Sequence, residues 1–426
     1  MAELLQQVRV LDPNSQTDRI ADVLLDTHRN RILAIETQLE PEPDTTITPA
    51  TGCILAPGLV DFYSHSGEPG YEDRETLRSL TAAAGAGGFT RLAILPDTEP
   101  MIDHGAMVQS LSQTVNTSGC CAGNWQFWGA LTHGCQGQQM AEYGDLQAQV
   151  VGFTDGRAIA DWTLLQRSLI YLQPLGKPIA LVPALTPLQQ QGVARESPTA
   201  LALGLPMDPA CSETAAIAAL LELVATTATP VHLMKISTAR GVALIAAAKA
   251  QGLPITASTT WLHLLWEVQD LHRYDPSLHL APPLGTPDDR QALIAGVRTG
   301  VIDAIAIDHT PYTYEEKTVS FATSPVGAIG LELALPLLWE KLVKPGLLSP
   351  LELWQALSHR PAQCLGQASG RCAVDAELEL VLFDPAVAWR VEPGELRSLS
   401  CNTHLLNQTI HGRVQRTFYP ASSNDQ

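Results

Sequence analysis

His65, Asp155 and Asp308 are of side-chain types that can hold a metal ion and activate water. Zinc accepts imidazole nitrogen and carboxylate oxygen, and a hydrolytic site uses about three protein ligands with a further position left for water. A carboxylate such as Asp308 works as general base there only beside a metal-bound hydroxide and a polarised amide. The residues around these three do not complete the set. Tyr63 stands two positions before His65, and a neutral phenol is a poor zinc ligand. Lys235 closes another apolar run; its ammonium repels a cation, joins a metal site only when carbamylated, and otherwise pairs with an acid such as Asp308. Val182 closes a further run with no ligating atom. His65, Asp155 and Asp308 could in principle make a weak site of one imidazole and two carboxylates.

Residues so far apart in sequence meet only if the fold gathers segment ends at one mouth. Short apolar runs alternate with helical patterns about eight times, which predicts a closed parallel (β/α)8 TIM barrel, an α/β fold. Strands are predicted near Leu59–Ser64, Thr90–Leu95, Gln126–Leu131, Val150–Thr154, Ile179–Val182, Val231–Ile236, Ile255–Ser258 and Ile302–Ile307. In such a barrel the reacting groups project from the C-terminal strand ends, where His65, Asp155, Val182, Lys235 and Asp308 all fall. Thr286 with Pro287, Asp288 and Asp289 reads as a capped helix start, stopped at Gly300, and a second helix runs from Thr238 to Gln251 before Gly252 and Pro254. The beginning of the chain and its tail share another texture: short apolar runs such as Val8–Leu11, Ile20–Leu25, Arg31–Ile35, Glu377–Phe383 before Asp384-Pro385, and Gln408–Val414. Both ends are therefore expected to form one small β-sandwich module, with residues 1–53 and 366–426 flanking a barrel of 54–365. Residues 421–426 are expected to fray.

The chain has 426 residues, 45% of them hydrophobic and 16% charged, an ordinary globular composition. A formal charge of −18 argues against a nucleic-acid partner, which needs clustered Lys and Arg. The eight cysteines have no C-x-x-C spacing, so most are expected to be buried small hydrophobes. No signal-peptide start and no apolar run of about 18 residues is found, which points away from a membrane and toward the cytoplasm.

The segment from Pro57 to Gly70 resembles the mouth of the dihydroorotase family, of the metal-dependent amidohydrolase type. That family writes Pro-Gly-Leu, then Asp-x-His-x-His-x-Arg before Glu-Pro-Gly, with both His on zinc and the Arg on the substrate carboxylate. Tyr63 replaces the first His and Gly67 the Arg. The resemblance extends from Ile54 to the Gly412 region. It places Asp97 where an Asn binds substrate, so that an anion there would repel a carboxylate, and Asp155 where an Asp can bridge two metals. Val182 and Lys235 fall on ligand His positions, Ala281 and Gly285 on an Asn and an Arg that anchor substrate, and Tyr312 on a substrate-binding His. Asp308 matches the metal-bound general base, while His263 matches a His expected to be structural.

These departures fall on three ligand positions and several substrate positions together. The resemblance therefore implies a dihydroorotase-like protein of pyrimidine biosynthesis that is noncatalytic, with no cofactor and no catalytic residue, His65, Asp155 and Asp308 being vestiges. It looks most like the inactive subunits that associate with aspartate carbamoyltransferase, and self-association is a further possibility. The alternative is an active cyclic amidohydrolase with a reduced zinc site, interconverting dihydroorotate and carbamoyl aspartate. A third reading keeps the old pocket for a flat ligand or fills it with the aromatic rings of Tyr63, Trp261 and Tyr312.

Overall fold

The computed structural model describes residues 2–117 and 124–420; the expectations for Cys120, Cys121 and residues 421–426 lie outside the described residues. The N-terminal runs form strands β1 (Ala2–Asp12), β2 (Thr17–Asp26), β3 (Arg31–Glu36), β4 (Thr46–Pro49) and β5 (Ile54–Pro57). The barrel strands follow: β6 (Leu59–Ser64), β7 (Phe89–Ile94), β8 (Asn124–Gly129), β9 (Gly152–Phe153) and β10 (Ala180–Leu181). A short pair, β11 (Ala194–Arg195) and β12 (Met207–Asp208), interrupts the series before β13 (Val231–Leu233), β14 (Ile255–Thr260) and β15 (Ala304–Ala306). The tail supplies β16 (Leu380–Arg390) and β17 (Thr409–Phe418).

Both chain ends meet in one sheet of order β17-β16-β5-β1-β2-β3, with β4 also paired to β1. Its own core gathers Leu5, Val10, Val23, Leu25, Leu380 and Phe418. The sheet also takes in Ile54–Pro57, beyond the 1–53 segment read from sequence. Asp384-Pro385 does not end the strand: β16 runs through it, and the pairing with β17 shifts between Asp384 and Ala388. Proline offers no N–H to the ladder, so the strand bulges there and resumes.

Parallel pairing joins β6-β7-β8-β9 and β10-β13-β14-β15. A bridge from Phe153 to Ile179 closes one seam. At the other, Ile307 N donates to Asp61 Oδ1 at 3.0 Å, Asp308 N to the Tyr63 carbonyl at 3.2 Å, and His65 N to the His309 carbonyl at 2.9 Å. All six residues of β6 are buried, as expected of a strand covered on both faces. Val60, Phe62, Ala93, Trp128, Ala180 and Met234 fill the barrel interior, so it is a packed core and not a channel.

The two helix readings hold. Thr286 caps Pro287–Thr299 through a reciprocal bond with Asp289, and Gly300 ends it at φ +78°. Thr238 caps Ala239–Ala250, accepting from Gly241 N. Arg91 joins barrel to terminal sheet by two bonds to Glu379, each 2.6 Å. The cysteine expectation holds only in part: Cys135 and Cys372 are buried, Cys53, Cys364 and Cys401 half-buried, and Cys211 exposed. Among the described residues no helix is long and apolar enough to cross a membrane.

Candidate functional site at the barrel mouth

A cavity of about 440 Å³ opens at the C-terminal strand ends, and His65, Asp97, Asp155, Val182, Lys235 and Asp308 all contribute to its wall. At its floor four charged side chains form a chain. His65 follows β6 and donates from Nδ1 to Asp97 Oδ2 at 2.7 Å. Its Nε2 stands 3.5 Å from Asp308 Oδ1, and Lys235 Nζ reaches the same oxygen at 2.7 Å. The pairing of Lys235 with Asp308 is the one the sequence offered as the plain alternative to a modified lysine.

Electrostatics in this chain are decided by a competition between burial and partners. Burial alone would lower the His65 imidazole, yet Asp97 and Asp308 outweigh it and raise it to about 9. Burial would raise the Asp308 carboxyl, and Lys235 and His65 together hold it far below the usual carboxylate range. Asp97 is likewise held low against its burial, chiefly by His65. At neutral pH the floor thus carries two cations and two anions.

Tyr63 organises this arrangement without being at the cavity surface. Its ring is fully buried in the barrel core, its carbonyl accepts from Asp308 N, and its phenol oxygen accepts from Lys235 N at 3.2 Å. Those two donors belong to residues in left-handed backbone, Lys235 at φ +55° and Asp308 at φ +53°. Such a conformation disfavours a residue with a Cβ and persists where its surroundings fix it. Trp261 is also fully buried, so the expected aromatic mouth is corrected: of the three rings only Tyr312 lines the cavity. Lys317 and Arg74 lie over that ring at 5.2 and 5.0 Å.

The remaining positions fall into two groups. Val182 and Ala281 line the cavity and offer it no donor. Gly67 and Gly285 are closed by their neighbours: a Cβ at Gly67 would run into the backbone of Tyr71 and Glu75, and one at Gly285 would lie 2.7 Å from Asp289 Cβ and 3.0 Å from the Ser237 carbonyl. Asp155 is occupied by the protein itself, accepting from Leu131 N at 2.8 Å, Thr132 N at 2.9 Å and Thr132 Oγ1 at 2.6 Å. Burial nevertheless raises its carboxyl. His263 donates or accepts within the fold only, toward Thr260 Oγ1 at 2.8 Å and the Pro282 carbonyl at 3.0 Å, and burial lowers it to about 4.

Sequence reading passed over a second buried charge cluster on the wall of the same cavity. Glu213 accepts from Ser237 N and Thr238 N, both at 3.0 Å, and from both hydroxyls. Arg195, 1% exposed, donates to Ser237 Oγ at 2.8 Å and lies 3.4 Å from Asp208 Oδ2. Together they fix the turn that follows Lys235. A glutamate early in a long apolar helix, Cys211–Thr227, was the available signal, since a buried carboxylate needs dedicated donors.

These residues do not fit a hydrolytic metal centre. Among the described residues no three His, Cys, Asp or Glu side chains group as metal ligands. His65 and Asp308 face one another, but an ammonium is already seated on the same carboxylate oxygen.

No protein-family model matches the chain. It is 47% identical over 438 residues to a protein of Synechocystis sp. described as a probable dihydroorotase-like protein, with 96% of this chain and 97% of that one covered. It is 34% identical over 416 residues to a dihydroorotase of Pelobacter propionicus, with 97% of each covered. Among solved structures it superposes on a dihydropyrimidinase from Brevibacillus agri with a TM-score of 0.81, over 100% of this chain and 96% of that one at 20% identity. An L-hydantoinase from Arthrobacter aurescens gives the same TM-score and identity over 98% and 96%. At that identity the structural likeness speaks for the fold alone.

Proposed function

The chain belongs to the dihydroorotase family, and from that premise we propose that it is a noncatalytic member of pyrimidine metabolism, a structural partner of aspartate carbamoyltransferase in the cytoplasm. One observation carries the noncatalytic reading: Asp308, the residue matching the general base, is held as a carboxylate by Lys235 Nζ at 2.7 Å. A base works when its pKa lies near the operating pH, and burial of Asp308 is outweighed by two cations that drive its pKa far the other way. The closed backbone at Gly67 supports the same reading, because no side chain can reach from there to a substrate carboxylate. Support for the partner is the resemblance to inactive subunits of that enzyme.

The test measures dihydroorotate formation and hydrolysis by protein purified without chelator, with zinc content read on the same sample. No turnover above a buffer blank and substoichiometric zinc are expected. Turnover abolished by Asp308→Asn would overturn the noncatalytic reading. Sizing chromatography with aspartate carbamoyltransferase at micromolar concentration should show co-elution, and clean separation removes the partner.

A further inference from the structure

We propose that Lys235 is a resident cation that stands in for a metal ion in this barrel, and that a histidine in its place would complete a three-ligand zinc site with His65 and Asp308 at the mouth. The inference rests on the noncatalytic reading above and goes beyond it, because it assigns Lys235 a role and identifies what the pocket becomes without it.

The argument is geometric. In a tetrahedral site with zinc bonds of about 2.1 Å, two ligand atoms stand about 3.4 Å apart. His65 Nε2 and Asp308 Oδ1 are 3.5 Å apart, so two ligating atoms already occupy adjacent corners. The outer support of such a site is present too. A zinc-bound imidazole donates its other N–H to a carboxylate, which fixes its orientation, and His65 Nδ1 donates to Asp97 Oδ2 at 2.7 Å. The corner nearest Asp308 is filled by Lys235 Nζ, 2.7 Å from the same Oδ1. A cation of one charge thus lies at ion-pair distance from the same carboxylate oxygen that faces His65.

Replacement of Lys235 by histidine changes both charge and reach. Imidazole extends roughly 2 Å less far from the backbone than an extended lysine, which vacates room for an ion while bringing a third ligating atom to its side. Lys235 and Asp308 sit in left-handed backbone held by Tyr63, so the main chain that aims both side chains is fixed independently of the ammonium.

The experiment compares wild type, Lys235→His and Lys235→Met by competition for zinc against a chromophoric chelator and by thermal unfolding with and without zinc. Lys235→His is expected to bind close to one zinc, at least about 100-fold more tightly than wild type, since a ligand itself should count for at least as much as the roughly 10- to 100-fold that a ligand's outer partner contributes. Zinc should raise its Tm and leave those of wild type and Lys235→Met unmoved. Adding His65→Gln to Lys235→His should abolish the gain. Zinc affinity of Lys235→His equal to wild type would overturn the inference, as would stoichiometric zinc on wild type with Lys235 intact. Should Lys235→His fail to fold, Lys235→Ala with imidazole added in solution replaces it, and the absence of imidazole-dependent zinc uptake is then the overturning result. Wild type without turnover but with no zinc gain in the variants sinks this inference and leaves the noncatalytic reading standing; turnover by wild type with the zinc gain confined to Lys235→His does the reverse.

Discussion

His65 makes the charge chain at the mouth measurable through pH. Its side chain is 20% exposed and its proton affinity rises from 6.5 to about 9 on folding, with burial opposed and outweighed by Asp97 and Asp308. At about 1.4 kcal/mol for each tenfold change in proton affinity, that rise corresponds to roughly 3 kcal/mol of stability. The folded chain holds the proton that the unfolded chain releases above pH 6.5. The contribution is therefore complete below about pH 6 and lost as pH rises through about 9. Lys317 acts with the opposite sign, since burial lowers it from 10.5 to about 8 and the unfolded chain binds more protons in that interval. Comparing wild type with His65→Gln cancels that contribution. Urea denaturation at closely spaced pH values should show wild type losing roughly 3 kcal/mol of its advantage over the variant between about pH 6 and 9.5. A difference between the two proteins that stays flat across this range would refute the assignment of His65 as a cation bound by two carboxylates.

Two other substitutions probe the walls of the site. Gly67→Arg restores the family residue on a backbone with no room for its Cβ; it is expected to cost about 2 to 3 kcal/mol by urea denaturation and to confer no dihydroorotate turnover, and a stable variant that binds the substrate would show the closure to be illusory. Glu213→Gln removes the charge that receives Ser237 and Thr238 and faces buried Arg195; a loss of about 3 kcal/mol is expected, and a loss under about 1 kcal/mol would show the cluster to be dispensable.

The barrel was legible because its signals are local and repeated. Thr286 with Asp289, Gly300 at the helix end, and apolar runs of strand length each follow from the nearest few residues. The bulge at Pro385 and the place of Ile54–Pro57 in the terminal sheet were not legible, since both depend on which strand lies alongside. At the site, sequence placed His65, Lys235 and Asp308 at strand ends and could not give their distances. Asp97 shows the limit most clearly. Read as an anion that would repel substrate, it proves to be the partner of His65, because β6 and β7 pair with Ser64 beside Ile94 and bring both following turns together. The closure at Gly67 was equally hidden: the atoms that fill the space belong to the backbone of Tyr71 and Glu75, which no side-chain inventory counts.

The substitutions at the mouth make physical sense only as a set. A buried carboxylate without a cation carries a desolvation penalty of several kcal/mol, and this floor holds two, Asp308 at the metal-ligand position and Asp97 where the family has an Asn. Lys235 and protonated His65 supply two positive charges against them within hydrogen-bonding or ion-pair distance. Asp155 is accommodated by other means, with three N–H and O–H donors from Leu131 and Thr132 and a carboxyl raised by burial. Tyr63 then serves two ends, filling the core with its ring and receiving the Lys235 and Asp308 amides that hold both residues in left-handed backbone. A metal ion would compete with Lys235 for Asp308 and with a proton for His65, so it would have to displace two cations to enter. On the noncatalytic reading proposed above, the barrel keeps its fold while the side chains at its mouth neutralise one another's charges.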